Sequence, residues 1–140
     1  MVYSQFVINS RNSAQSSSQH TTRSDELLLL ESCPQMRRLL KVVLALELNL
    51  EVKMVAHSCD AWALCQEHDF ALVILSMDYP EMDLFQKSIL QWQGLRCLIL
   101  TDRFGMGQFL DYPCLGKPFK LAELIPTVRN LLLKSRALEE

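Results

Sequence analysis

Short apolar runs alternate along residues 26–137 with stretches in which apolar residues recur every three or four positions. Apolar runs of this length are typical of strands covered on both faces, and the recurring pattern predicts helices with one buried face. The predicted strands are residues 27–30, 52–56, 71–75, 96–100 and, more weakly, 111–115. The predicted helices carry the repeats that begin at Met36, Ala61, Leu84 and Leu121.

This alternation of strand and helix predicts an α/β domain, a doubly wound five-stranded parallel sheet with helices on both faces. In such sheets, binding sites lie at the carboxyl ends of the strands. We therefore expect the residues at those ends to form a site. They are Glu31 and Ser32, then Ser76, then Thr101 and Asp102, then Lys117.

Residues 1–25 differ from the rest of the chain. Serine dominates this segment, which is too polar to offset the cost of ordering, so it is predicted to be a flexible N-terminal tail ahead of a folded domain at 26–137. Its apolar part, residues 2–8, is interpreted either as a frayed terminus or as a patch that docks on the domain or on a partner.

Composition excludes several classes of protein. With 140 residues, 49% of them hydrophobic and 21% charged, the chain is expected to form one globular domain. The net charge is −2, and the basic residues Arg37, Arg38 and Lys41 are interpreted as a solvated helix face, so nucleic-acid binding by this chain alone is not expected. No signal-peptide pattern or bilayer-length apolar run occurs, which favours a cytoplasmic location without membrane contact.

The cysteines give no sign of a disulfide framework or a zinc site. There are five of them, an odd number, and no CxxC pair occurs. We interpret them as buried or half-buried thiols in a reducing compartment. A redox role is the alternative for the two that lie near the expected site, Cys33 and Cys114.

Four stretches resemble the receiver domain of bacterial response regulators. They are LLLLESCPQMRRLL, LVILSMDYPEMD, LILT and GKPF, in the family's order and over residues 26–134. The resemblance implies a flavodoxin-like (βα)5 receiver fold with strand order 2-1-3-4-5. It also implies a role in two-component phosphorelay signalling rather than an enzymatic activity, and a cis peptide bond before Pro118.

The resemblance also shows departures from the family's pattern. The family's phosphoacceptor aspartate corresponds to Ser76, and its Mg²⁺-binding pair of acids corresponds to Glu31 and Ser32. The hydroxyl switch residue and the lysine are retained as Thr101 and Lys117, whereas the aromatic switch position is Cys114. The intervals from Ser76 to Thr101 and on to Lys117 are shorter than in typical receivers. The fourth helix, between strands four and five, is therefore expected to be shortened or absent.

The departures remove charge from the expected pocket. Glu31 and Lys117 leave a local charge near zero, so Mg²⁺ binding is expected to be absent or weak, with Glu31 the one weak candidate ligand. We hypothesise that Glu31 pairs with Lys117 instead. The Ser76 hydroxyl would need a base, and no histidine matches such a position, so phosphorylation there is not expected. Asp78 is predicted to be an exposed loop acid, and Ser58 and Asp83 to cap helices.

The sequence thus predicts a degenerate receiver, a pseudo-receiver lacking the phosphoacceptor aspartate. Its expected work is phosphorylation-independent protein–protein contact in signal transduction, with a signalling protein or with a second copy as a homodimer. Two alternatives stay open. One is a phosphorelay receiver phosphorylated on a non-standard acid such as Asp78. The other is a small-ligand sensor at the carboxyl edge of the sheet.

Overall fold

The fold is taken from a computed structural model that describes residues 26–78, 82–92, 94–102, 107, 109 and 111–139. In chain order, its elements are β1 (Glu26–Leu30), α1 (Pro34–Leu48), β2 (Glu51–Val55), α2 (Ser58–Glu67), β3 (Leu72–Ser76), α3 (Leu84–Gln91), β4 (Cys97–Thr101), β5 (Cys114–Gly116) and α4 (Leu121–Glu139). The predicted N-terminal tail, residues 1–25, lies outside the described residues.

All five strands are parallel and lie in the order β2-β1-β3-β4-β5. This confirms the predicted doubly wound sheet and its strand order. The central strand β3 pairs with β1 on one side and β4 on the other, with Leu75 beside Leu30 and Ile99. Because the strands are parallel, the residues that follow each of them meet at one edge of the sheet.

The core consists of two apolar layers, one on each face of the sheet. Successive strand residues point to opposite faces. Leu27 and Leu29 accordingly pack in a cluster with buried residues of α1 and α4, whereas Leu28 and Leu30 pack in a cluster with buried residues of α2 and α3. Strands β1, β3 and β4 are covered on both faces, which explains their uninterrupted apolar sequences.

The helix ends follow the local sequence. Pro34 is the first residue of α1, and Asn49 ends that helix in the left-handed conformation, with its N–H donated to the Ala45 carbonyl. Asp83 caps α3 as predicted: its Oδ1 accepts the Gln86 N–H at 2.9 Å, and Gln86 Oε1 accepts the Asp83 N–H at 2.8 Å.

Two predicted local features differ from the structure. Ser58 does not cap α2; it is the first helical residue, and its hydroxyl donates to Asp83 Oδ2, which links α2 to the start of α3. The fifth strand begins at Cys114 rather than Asp111, because the residues ahead of it form a turn closed by the Tyr112 N–H and the Phe109 carbonyl at 3.1 Å.

The connection between β4 and β5 is described only in part. Residues 103–106, 108 and 110 lie outside the described residues, so the expected shortening or loss of the helix there stays a prediction. The Lys117–Pro118 peptide bond, which follows β5, is cis, as the resemblance implied.

Asp83 should contribute measurably to stability, because one carboxylate serves the α3 N-terminus and the Ser58 hydroxyl of α2. We expect Asp83→Ala to lower the free energy of unfolding by about 1 to 2 kcal/mol, the usual effect of losing an N-cap. Urea denaturation followed by circular dichroism measures this. Lys87→Ala, an exposed substitution in the same helix, is the control, and equal effects of the two would contradict the role of Asp83.

Candidate functional site

The carboxyl edge of the sheet brings most of the predicted site residues together. Glu31 and Ser32 follow β1, Ser76 ends β3 and Lys117 follows β5. They line one cavity of about 640 Å³, which also includes Asp78. Thr101, at the end of β4, is completely buried and does not line the cavity, although its carbonyl accepts the Lys117 N–H at 2.7 Å.

Glu31 is held by its own turn rather than by Lys117. The side chain is buried, and its Oε2 accepts the Cys33 N–H at 3.1 Å. Arg37 reaches back from α1 and donates to the Glu31 carbonyl at 2.7 Å. The hypothesis that Glu31 pairs with Lys117 was therefore wrong. The amide two residues away is a nearer donor for this carboxylate than the ammonium across the cavity.

Lys117 pairs with Asp78 instead. Its Nζ lies 3.2 Å from Asp78 Oδ1, and the two side chains are 29% and 45% exposed. Asp78 is indeed a partly exposed acid just past β3, but its carboxylate lines the cavity rather than pointing away from it. The cavity thus holds two carboxylates and one ammonium, so its local charge is negative rather than the near-zero value expected from Glu31 and Lys117 alone.

The hydroxyls at the ends of β3 and β4 have no hydrogen-bond partner within the part of the chain that the structure describes. Both Ser76 Oγ and Thr101 Oγ1 are buried. An unpaired buried hydroxyl costs free energy, and functional sites are one place where such groups occur. The geometry thus leaves Ser76 without a base hydrogen-bonded to it, as a nucleophilic serine would require.

A second cavity, of about 710 Å³, adjoins the first and shares Ser32, Ser76 and Met77 with it. Its other walls include His57, Ser58 and Asp83. Sequence reasoning placed no histidine near Ser76 and missed His57. The strand order β2-β1-β3 predicts the position of His57. It follows β2, and in a parallel sheet the residues that follow β2 lie at the same edge as those that follow β1 and β3. His68, by contrast, contacts Glu26, the first residue of β1, at 3.1 Å.

The oxygen donors at the cavity differ from the acids that the resemblance assigns to Mg²⁺. Mg²⁺ requires near-octahedral oxygen ligands and is usually held through one or two carboxylates. Here Glu31 accepts a backbone N–H, Asp78 contacts an ammonium, and serines occupy positions 32 and 76. Within the described ranges, no group of three or more His, Cys, Asp or Glu side chains is placed to hold a metal.

Cys114, at the expected aromatic switch position, is half-buried at the start of β5 and packs against the apolar layer on the α2 and α3 side of the sheet. Its Sγ donates to the Phe109 carbonyl at 3.2 Å, and burial raises the pKa of its thiol. Both features favour the thiol over the reactive thiolate. Cys33 is exposed at the rim of the first cavity. The switch role of Thr101 and Cys114 stays a prediction.

Comparisons with known proteins agree with the fold. No protein-family model matches the chain. Over 122 residues the chain is 32% identical to the response regulator Rre1 of Synechocystis sp. (strain ATCC 27184 / PCC 6803 / Kazusa), an alignment that covers 79% of this chain. The chain spans 53% of the length of that curated relative.

Solved structures with the same fold include several receiver domains. A response regulator receiver domain protein from Clostridium thermocellum has a TM-score of 0.69 at 16% identity, covering 81% of this chain and 98% of its own. The receiver domain of the sensor histidine kinase PA1611 from Pseudomonas aeruginosa PAO1, solved with magnesium in its active-site cleft, has a TM-score of 0.66 at 21% identity, with coverages of 78% and 98%.

An adenylate cyclase structure from Rhodopirellula baltica is also similar, with a TM-score of 0.71 at 18% identity, covering 83% of this chain and 93% of the other. The fold is the one that these receiver domains share, and the sequence similarity to a response regulator supports the resemblance of the motifs. None of the described helices combines the length and apolarity needed to cross a membrane.

A double-mutant cycle tests which carboxylate Lys117 contacts. For a half-exposed pair we expect Asp78→Asn and Lys117→Gln to couple by about 0.2 to 1 kcal/mol, with a smaller value at high salt. The matched cycle with Glu31→Gln and Lys117→Gln should give a smaller coupling, because Glu31 is engaged by the Cys33 amide. Chemical denaturation of the single and double variants measures both. A larger coupling for Glu31 would contradict the pairing described above.

The cysteine thiols should differ in the rate at which they are alkylated. Burial raises the pKa of Cys65 and of Cys97 to about 12, so almost no thiolate forms at either position at pH 8. Exposed Cys33 and Cys59 should react with iodoacetamide first. Buried Cys65 and Cys97 should stay unmodified as the pH rises, as long as the protein stays folded. Peptide mass spectrometry after timed alkylation checks this. Early modification of Cys97 in the folded protein would contradict the burial.

Proposed function

We propose that the chain acts as a receiver domain in two-component signalling that has lost phosphorylation and works by binding another protein. The proposal rests mainly on Ser76. Its Oγ is buried and has no hydrogen-bond partner among the described residues, at the end of the strand where the family's resemblance places the acceptor aspartate. A hydroxyl phosphoacceptor must reach its donor and give up its proton to a base as its oxygen attacks phosphorus, and this hydroxyl is buried with no base hydrogen-bonded to it among the described residues.

The surroundings of Ser76 support the same proposal. Phosphoryl transfer depends on metal ions and cationic groups that neutralise developing charge. The cavity instead holds Lys117 against Asp78, and Glu31 against a backbone amide. Ser32 stands where a second metal-binding acid would be. The proposed binding of another protein therefore does not depend on a bound phosphoryl group.

The competing function is a phosphorelay receiver that uses Asp78. One observation favours it, since Asp78 lines the cavity and lies 3.2 Å from Lys117, the partner that an acylphosphate would also need. The acids argue against this function. If Asp78 were the acceptor, Glu31 would be the other acid that lines the cavity, and that single carboxylate would have to hold the metal ion. For this reason we favour a domain that works by binding another protein.

The proposed partner is a protein of a signalling pathway in the cytoplasm. The similarity to a response regulator supports the pathway, and the net charge of −2 gives no reason to invoke nucleic acid for this chain alone. A homodimer is the other arrangement compatible with a binding module. Because the alignment covers only part of the curated relative, these partners are inferred from the domain alone.

Incubation with acetyl phosphate and Mg²⁺ tests the proposal. Intact-mass spectrometry should show no added phosphoryl group on the natural chain or on the Asp78→Asn variant. A chain carrying Ser76→Asp together with Ser32→Asp restores two carboxylates, and we expect it to bind Mg²⁺ more tightly than Ser76→Asp alone. A Mg²⁺-dependent adduct on the natural chain that disappears in Asp78→Asn would establish the competing function instead.

A further inference from the structure

Two exposed apolar side chains lie at the start of α3. Leu84 and Phe85 are the first two residues of this helix, and they are 74% and 41% exposed. Both line the second cavity described above, together with Met77, which follows β3, and Met82, which precedes α3. These four side chains define what we call the α2–α3 groove, because residues at the start of α2 also line the cavity. Large exposed apolar groups beside a cavity mark a place where another apolar group binds.

The α2–α3 groove carries little charge. Among the described residues that line the cavity, His57 and Asp83 are the acid or base side chains other than the Cys59 thiol. The Asp83 carboxylate is already engaged by two donors, the Gln86 N–H and the Ser58 hydroxyl. Charges at an interface select the partner, so a groove with so few of them favours an occupant whose own side chains are uncharged.

The exposed apolar surface here is too small to hold two folded proteins together. Within the described part of the chain, the large exposed apolar side chains of α3 are Leu84 and Phe85, and exposed Asp83 and Lys87 lie beside them in sequence. A stable interface between folded proteins buries about 800 Å² on each partner. A two-fold contact would also bring the Asp83 carboxylates of two copies into one interface. A segment of the same chain needs less area, because its tether lowers the cost of association.

Residues 2–8 of this chain have the composition that the α2–α3 groove favours. Their sequence is VYSQFVI, which contains the apolar residues Val2, Phe6, Val7 and Ile8 and no charged side chain. Burial of these apolar side chains against the exposed ones at the start of α3 would remove both sets from water, which is the general driving force for such contacts.

The stretch of chain between this segment and the domain is long enough to reach the groove. Residues 9–25 connect Ile8 to Glu26, the first residue of β1. About 17 residues reach up to about 55 Å when fully extended, whereas β1, which leads from the amino edge of the sheet to the carboxyl edge, is about 17 Å long. A short tether also keeps its end at an effective concentration on the order of 1 mM. Weak apolar contacts are therefore sufficient for docking.

We propose that residues 2–8 dock within the same molecule in the α2–α3 groove, with Phe6 and Ile8 against Leu84 and Phe85. The docked segment would cover an apolar surface that the domain otherwise exposes, and it would control access to the second cavity. The inference goes beyond the proposed function and does not depend on it, because the groove would bind this segment whether or not the neighbouring pocket can be phosphorylated.

The exposed thiol of Cys59 lines the second cavity and therefore reports whether the groove is occupied. A docked segment would shield this thiol from iodoacetamide. The double variant Phe6→Glu with Ile8→Glu should be alkylated at Cys59 about fivefold faster than the natural chain, a factor that corresponds to a segment docked about four-fifths of the time. Cys33, which lines the other cavity, should react at the same rate in both proteins. Peptide mass spectrometry after timed alkylation of the full chain measures these rates.

A matched variant of the tether controls for the added charge. Ser16→Glu with Ser18→Glu introduces the same two charges at the same spacing within the serine-rich stretch. It should leave the alkylation rate of Cys59 at the value of the natural chain. Buried Cys97 should stay unmodified in every variant, which verifies that the domain is folded during the measurement.

A substitution on the other side of the proposed contact tests the groove itself. Leu84→Ser should accelerate alkylation of Cys59 in the natural chain but not in the chain that already carries Phe6→Glu and Ile8→Glu, because both changes remove the same contact. Leu133→Ser removes another exposed leucine, on α4, a helix that packs on the opposite face of the sheet, and should have no effect.

Equal alkylation rates of Cys59 in the natural chain and in the variant with Phe6→Glu and Ile8→Glu would overturn the inference. Faster alkylation of Cys33 rather than Cys59 in that variant would also overturn it, because the segment would then lie at the first cavity. Protection of Cys59 that weakens on dilution, together with a dimer in sedimentation velocity, would assign the groove to a second copy instead. None of these results changes the outcome of the acetyl phosphate experiment, which tests the proposed function separately.

Discussion

The pairing of β3 between β1 and β4 brings the residues at the carboxyl ends of these strands to one edge of the sheet. This strand is buried along most of its length, and its register with both neighbours places Ser76 at the carboxyl edge of the sheet. A shift of the register by one residue would exchange its apolar side chains between the two core layers and turn the Ser76 side chain to the other face of the sheet. The packing of the core therefore fixes the position of the serine, whatever chemistry that position supports.

At this fixed position, the local chemistry differs from that of a metal-dependent phosphorylation pocket. Each charged group has a partner nearby: Glu31 accepts the Cys33 amide and Lys117 contacts Asp78. These contacts satisfy charges within the protein, where a phosphorylated receiver would satisfy them with a metal ion and a phosphoryl group. The two apolar layers of the core contain none of these charged groups, so a loss of phosphorylation, as proposed above, would leave the core packing in place.

The sequence predicted the features that depend on burial and on strand ends. Apolar runs identified β1, β3 and β4, because both faces of these strands are covered, and the parallel arrangement then placed Glu31, Ser76 and Lys117 at one edge. The half-buried strand β5 lacks such a run, and its start was misplaced. The partner of Lys117 was also misassigned. That contact depends on the direction of the Asp78 side chain after β3 and on competition from the Cys33 amide, and neither follows from residue spacing.

In the function proposed above, the pocket at the carboxyl edge of the sheet carries no phosphorylation chemistry. Beryllium fluoride with Mg²⁺ mimics a phosphoryl group on an acceptor carboxylate, so amide NMR of the full chain with this mixture tests the claim most directly. We expect the amide signals of Met77, Thr101 and Lys117 to keep their positions as beryllium fluoride and Mg²⁺ are added. New signals for these residues that require both components, and that Asp78→Asn abolishes, would contradict it.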